Sequence, residues 1–285
     1  MEDDNARSVP TPAPALSVLP PSALQVIANQ EFFARVQSVK ADPVSSAADL
    51  KQVFDEYKDS ADPRERRAAA RAFQTCVPAF LSPGGKSPSP AHLIESLPLS
   101  HRSEREAAYR SLFERCEGLL ALQPAVLTET FEALRTDPRA QAPGVLAQQA
   151  ALVGYPQRVE ELVTEALTSN DPASVASLAG LAARIAVVRQ GEVANAALLQ
   201  KAHAVDEALP LVACDLGLDC GEQSLWALQL CAFEALCKGD ASARLIARSA
   251  RSGIKPDTVL KERLRLFRLI QSGQIAGTMD LLPER

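Results

Sequence analysis

Aromatic residues make up only 5% of this 285-residue chain, with one tryptophan and three histidines. Sheets draw on aromatic and β-branched side chains, whereas much of the 47% hydrophobic content here is Ala and Leu, so the composition favours helix. No stretch approaches the roughly 18 consecutive apolar residues that a bilayer-crossing helix needs, which argues against a membrane-spanning segment. A surplus of positive charge is also missing: the formal net charge is -5, and wholesale nucleic-acid binding would call for a basic surface. The local signatures G-x-S-x-G, H-E-x-x-H and G-x-G-x-x-G do not occur. No cofactor and no metal is therefore expected.

The N-terminus, Met1 to Ser22, is acidic at its start and Pro-rich, without the basic and apolar regions of a signal peptide. It fits either a cytosolic protein or a mature form whose leader was replaced by a starting Met. A chain of this length lies near the size at which one core gives way to two lobes. We expect a flexible Pro-rich leader over 1–20, an N-terminal helical segment over 21–80, a Pro/Gly/Ser-rich loop over 81–100 and a main helical domain over 101–285. Within the loop, Ser82-Pro-Gly-Gly-Lys86-Ser87 ends like a phosphate-binding P-loop. Phe80 stands where that motif needs its first Gly, and no apolar strand precedes it, so we reject the match.

Helical periodicity runs through most of the rest. A first helix is expected over Pro21–Lys40, with Leu24, Ile27, Phe32 or Phe33 and Val36 near helical spacing, and further helices over Ser46–Tyr57 and from Pro63 toward Phe80. Beyond the loop, helices are expected over Ser103–Leu122, Pro124–Arg135, Gly144–Val153, Pro156–Thr168 and Pro172–Arg189. Four more follow over Val193–Ala213, Glu222–Leu236, Ala241–Arg251 and Pro256–Gln271. In Pro156–Thr168, Val159, Leu162, Val163, Ala166 and Leu167 mark one buried face. Asp62-Pro63, Asp137-Pro138 and Asp171-Pro172 each set a capping Asp before Pro at the first helical position, where the missing N–H is harmless. With Asp240, the last three fit a unit of 34 to 35 residues, the length of a helix pair. This is similar to tetratricopeptide-like repeats, although the usual Trp, Gly, Tyr and Pro positions of that repeat are absent; an irregular bundle is the alternative.

The six cysteines are Cys76, Cys116, Cys214, Cys220, Cys231 and Cys237. The C-x5-C spacing of the last four does not suit a zinc site, and His92, His101 and His203 are not placed to complete one. Six residues of helix rise about 9 Å, beyond the roughly 7 Å limit for a bridge, so local pairing needs a broken helix. Gly217 and Asp219 can break the first unit; the second can close only if its helix ends near Glu234. Local pairs leave Cys76 with Cys116. The other reading is six reduced, buried thiols in a cytosolic protein; bridges imply an oxidising compartment.

Surface chemistry offers several candidate sites. Glu129 with Glu132, and Glu160, Glu161 and Glu165, share helix faces that could hold a cation or do acid/base work, but they also fit a solvated face. From Lys238 to Arg268 the chain carries +6 and the remainder -11. Arg244, Arg248 and Arg251 form one helical stripe, which with Lys255 is the expected binding face for an anionic partner. Intramolecular pairing with the acidic remainder is the alternative. Arg64, Arg67 and Arg71 form a second stripe. Trp226 lies in a helix apolar on nearly all sides and is expected in the core.

The segment LVACDLGLDCGEQSLWALQLCAFEALC, followed by VLKERLRLFRLIQSGQ, resembles a group of uncharacterised exported α-helical proteins of proteobacteria carrying a C-D-L-G-x-D-C unit. The resemblance covers roughly residues 168–285, including the start at Ser169-Asn-Asp-Pro-Ala173. It implies export and a helical fold and brings no catalytic residues.

The expectation is thus an all-α fold of antiparallel helix pairs, in an irregular bundle or short repeat array, with disulfides near the C-terminal end. Its expected function is that of an exported, periplasmic or secreted, non-enzymatic interaction or scaffold protein. It would bind a protein, peptide or anionic cell-envelope component through grooves between helices and the basic C-terminal face. One alternative is a helical enzyme whose cleft carboxylates act on an envelope polysaccharide; another is a cytosolic regulatory domain.

Overall fold

In a computed structural model of the chain, residues 42–80, 95, 100–190 and 195–282 are described, and their regular elements are all helical. The leader over 1–20, the helix expected over Pro21–Lys40 and the Leu81–Pro90 stretch lie outside the described residues. The helices are α1 (Leu50–Tyr57), α2 (Pro63–Phe80), α3 (Arg102–Leu120), α4 (Pro124–Thr136), α5 (Pro143–Leu152), α6 (Pro156–Thr168) and α7 (Pro172–Ser177). They continue with α8 (Leu181–Gln190), α9 (Ala196–Asp215), α10 (Leu225–Glu234), α11 (Ala241–Arg251), α12 (Pro256–Ser272) and α13 (Thr278–Leu281).

Side-chain caps fix many of the starts. Asp49, Asp171, Asn195, Ser224 and Asp240 each accept a backbone N–H in the first turn of the helix they precede. Asp62 accepts from Arg64 N at 2.8 Å at the start of α2, and α4, α5, α6 and α12 open with Pro. Each device supplies an acceptor for an orphan N–H or removes the N–H altogether.

Two expectations fail here. Asp137-Pro138 does not start a helix. Asp137 is the C-terminal cap of α4, its carboxylate accepts from Arg66 and Arg139, and the next helix begins at Pro143. One of the markers behind the 34-residue spacing is thereby lost. The single helix expected over Pro172–Arg189 is two. Gly180 takes φ +88°, and Asp206 of α9 accepts from Ala182 N at 2.9 Å and Ala183 N at 3.0 Å. A carboxylate remote in sequence thus caps α8, which local spacing cannot reveal.

The apolar faces meet in two clusters. One gathers α5 to α9 with α11, α12 and α13, with α9 near its centre: Ala202, Val205, Leu209 and Val212 are all fully buried. The other joins α1 to α4 through Leu50, Phe73, Leu112 and Leu119. Helix α10 belongs to both, giving Leu225, Leu228 and Cys231 to the second cluster and Leu230 to the first.

Three disulfides close the framework. Cys76–Cys116 ties α2 to α3 across a separation of 40 residues. Cys214–Cys220 forms because α9 ends at Asp215 and Gly217 turns the chain at φ +102°, which brings the Cα atoms to 5.7 Å. Cys231–Cys237 forms because α10 ends at Glu234 and Ala235 adopts a left-handed conformation, giving 4.3 Å. Both helix breaks required by the geometry of a bridge are present.

Candidate functional site

The stripe Arg64, Arg67 and Arg71 along α2 does not face open solvent. It lines a cleft of about 710 Å³ walled by α2, α4, α5, α7, the start of α10 and the segment Asp42–Ser45. Phe131 of α4 and Val145 of α5 line it while remaining 38% and 43% exposed, and Trp226 of α10, only partly buried, lines it too. Large apolar side chains facing a cleft of this size form a ligand-sized apolar surface.

The charges in the cleft balance. Four arginines (Arg64, Arg67, Arg71, Arg135) meet four carboxylates (Asp42, Asp62, Glu65, Asp171). Arg71 pairs with the buried Asp42, which also accepts from the Ser45 hydroxyl and from Ser45 N at 3.0 Å. Burial pushes the Asp42 carboxyl up, but the Arg71 charge and the hydrogen bonds from Ser45 and Arg71 override it and hold the group below the usual carboxylate range. Arg67 lies 3.6 Å from Asp171 and 3.9 Å from Glu165, and Arg135 pairs with Glu132 at 2.7 Å. Glu65 accepts from the Ser60 hydroxyl at 2.7 Å. The carboxylates are thus occupied as helix caps, ion-pair partners and hydrogen-bond acceptors.

Side-chain amides complete the lining. Gln74, Gln141, Gln149 and Gln229 border the cleft, and each offers both a donor and an acceptor. Gln141 donates to the Arg135 carbonyl at 2.6 Å, which leaves its oxygen directed to Gln149 at 3.4 Å.

The residues expected to form the basic docking face are placed differently. Arg244 is 7% exposed and donates to the carbonyls of Ala227 and Cys237, so it clamps the loop after α10 and is withdrawn from any partner. Arg248 pairs with Glu207 at 3.0 Å and Glu234 at 3.6 Å; Arg251 pairs with Glu234 at 3.1 Å. Lys255 is exposed at the start of α12. Further along, Arg263 pairs with Asp215 and Arg265 with Glu262. Three carboxylates outside the stretch, Glu207, Glu234 and Asp215, thus engage Arg248, Arg251 and Arg263, and with Arg244 buried the four expected residues do not form one continuous exposed face.

Four of the five acidic candidates are likewise engaged, and Glu129 is exposed on α4. Glu160 accepts from Thr278 N at 3.1 Å, Glu161 pairs with Arg158 at 2.8 Å, and Glu132 and Glu165 pair as described. Among the described residues, no group of three or more His, Cys, Asp or Glu could hold a metal ion, and no helix is long and apolar enough to cross a membrane. His101 sits at the start of α3 with φ +52°, beside Glu104 at 3.7 Å.

Among the described residues, Asp206 has a carboxyl pushed up to about 6. Its cause is burial, offset in part by hydrogen bonds from the N–H groups of Ala183, Ala182 and Gly180. It lies in the core under α8 and does not line the cleft. Its task is capping.

No family model matches the chain, and comparison with curated proteins and with solved structures returns no match.

Proposed function

We propose that this is a non-enzymatic binding protein of an oxidising compartment, periplasmic or extracellular, whose cleft between α2, α4, α5, α7 and α10 takes a polypeptide segment. The observation that carries the reading is the cleft's lining: exposed Phe131 and Val145 with Trp226, four glutamine amides, and equal numbers of arginines and carboxylates. Apolar side chains give a peptide its affinity, and amides that both donate and accept match a peptide backbone. Balanced charge disfavours a polyanion, which would need unopposed basic groups. Three disulfides support the oxidising compartment. Against a hydrolase stands the state of the cleft carboxylates, which are paired or capping.

The test is a selection from a displayed random-peptide library on the immobilised native chain, followed by titration of the chosen peptides while Trp226 emission is read. Saturable binding that shifts this single tryptophan and is lost in Val145→Glu supports the reading. Peptides that bind Val145→Glu as tightly as the native chain contradict it.

A further inference from the structure

Arg67 of α2 and Trp226 and Gln229 of α10 line the cleft half-buried, and among the described residues none of the three side chains has a hydrogen-bond partner. Arg67 lies 3.6 Å from Asp171 and 3.9 Å from Glu165, so its charge is met, yet both distances exceed the roughly 3.2 Å reach of an N–H···O bond. Its Nε–H is buried without an acceptor. The Asp171 carboxylate is engaged elsewhere, by Ala173 N at 3.2 Å and the Ser174 hydroxyl at 2.7 Å. Guanidinium and indole N–H groups only donate, and Gln229, three residues after Trp226, adds an amide on the same face of α10.

These groups call for acceptors without charge. A carboxylate on the ligand would come up against Asp171 and Glu165, which already flank Arg67. In a polypeptide the uncharged acceptor of the main chain is the carbonyl. Most residues bring an N–H with it, and an N–H covered by donor-only groups loses its bond to water, at a cost of about tenfold in affinity. Proline brings the carbonyl alone. A proline-rich segment is also extended before it binds, makes no internal hydrogen bonds, and docks in aromatic-lined grooves; Phe131 and Trp226 supply the aromatic lining here. We infer that the cleft takes an uncharged, proline-rich polypeptide in the extended polyproline conformation, whose carbonyls accept from Arg67, Trp226 and Gln229. The inference rests on the cleft being a polypeptide site, as proposed above, and names the class of polypeptide.

The experiment uses the full chain and three fluorescent, end-blocked synthetic peptides, with binding read by anisotropy. One is built of Pro-Pro-Leu repeats; the controls carry alanine in place of every proline, or aspartate in place of every leucine. Arg67→Met and Trp226→Phe each remove a donor and keep most of the side chain's bulk. Far-UV circular dichroism and a thiol count establish which variants keep the fold and bridges, and Trp226→Phe carries the test alone where Arg67→Met does not fold. The expected result is saturable binding of the proline peptide, about tenfold tighter than either control, and a loss of about tenfold in each folded variant. A proline peptide that does not bind, a control that binds as tightly, or an affinity unchanged in a folded variant overturns the inference. Library-selected peptides separate the two readings. If they bind in a Val145-dependent manner without proline, the cleft remains a polypeptide site of another specificity; if no peptide binds in that manner, the underlying reading falls as well.

Discussion

Replacing Cys76 and Cys116 together by alanine removes the only bridge that closes a long loop. Both cysteines are fully buried between α2 and α3. A cross-link stabilises mainly by restricting the unfolded chain, with an entropy that grows as the logarithm of loop length. For a separation of 40 residues this gives about 4 kcal/mol at 25 °C, whereas each of the two bridges with a separation of 6 gives about 2 kcal/mol. Urea denaturation of the three paired-alanine variants, followed by circular dichroism and extrapolated to water, measures the losses directly. The order should be Cys76/Cys116 well above Cys214/Cys220 and Cys231/Cys237. Equal losses, or a larger loss for a short loop, would refute the entropic account of the framework.

Other outcomes follow from packing and charge. In Gly144→Ala the new Cβ would overlap the Ser177 carbonyl and lie 2.6 Å from Leu178 N; backbone cannot yield cheaply, so a loss of about 3 kcal/mol is expected, read as a lowered urea midpoint. Asp206 makes stability pH-dependent. Its folded value of about 6 lies above the ordinary value near 3.9, so the folded chain holds a proton that the unfolded chain releases, and stability falls as pH rises from about 4 to about 6. The size is on the order of 3 kcal/mol, and Asp206→Asn should flatten the slope; parallel curves for both chains would contradict this. Arg244→Ala should cost about 2 to 3 kcal/mol because a buried carbonyl loses its charged donor, whereas Arg251→Ala, at an exposed pair, should cost less than about 1 kcal/mol. Thermal denaturation of the two variants side by side distinguishes a clamp from a surface charge.

Much of the framework was legible in the chain because its signals are local. The face of α6 is written in the spacing of Val159, Leu162, Val163, Ala166 and Leu167, and its limits, Pro156–Thr168, coincide with those expected. The short bridges follow from the distance a helix covers in six residues and from the breakers available. What escaped is what depends on residues remote in sequence. The break before α8 is stabilised by Asp206, 24 residues after the N–H of Ala182 that it caps. The Arg244 stripe reads as a docking face until Ala227 and Cys237 are seen to accept its donors. The cleft was half legible. The Arg64, Arg67 and Arg71 stripe stands out in the sequence, but nothing local shows that Phe131, Val145 and Gln229 arrive opposite it. Trp226 was expected in the core; it packs against the core and also borders the cleft.

The central claim is that polypeptide sits in this cleft and not on the C-terminal basic face. Its most direct test is photo-cross-linking from a benzoylphenylalanine placed at Phe131 in one full-length chain and at Lys255 in another, with the adducts mapped by mass spectrometry. With a library-selected peptide present, the account predicts peptide adducts from position 131 and none from position 255. Adducts from position 255 with none from position 131 would contradict it.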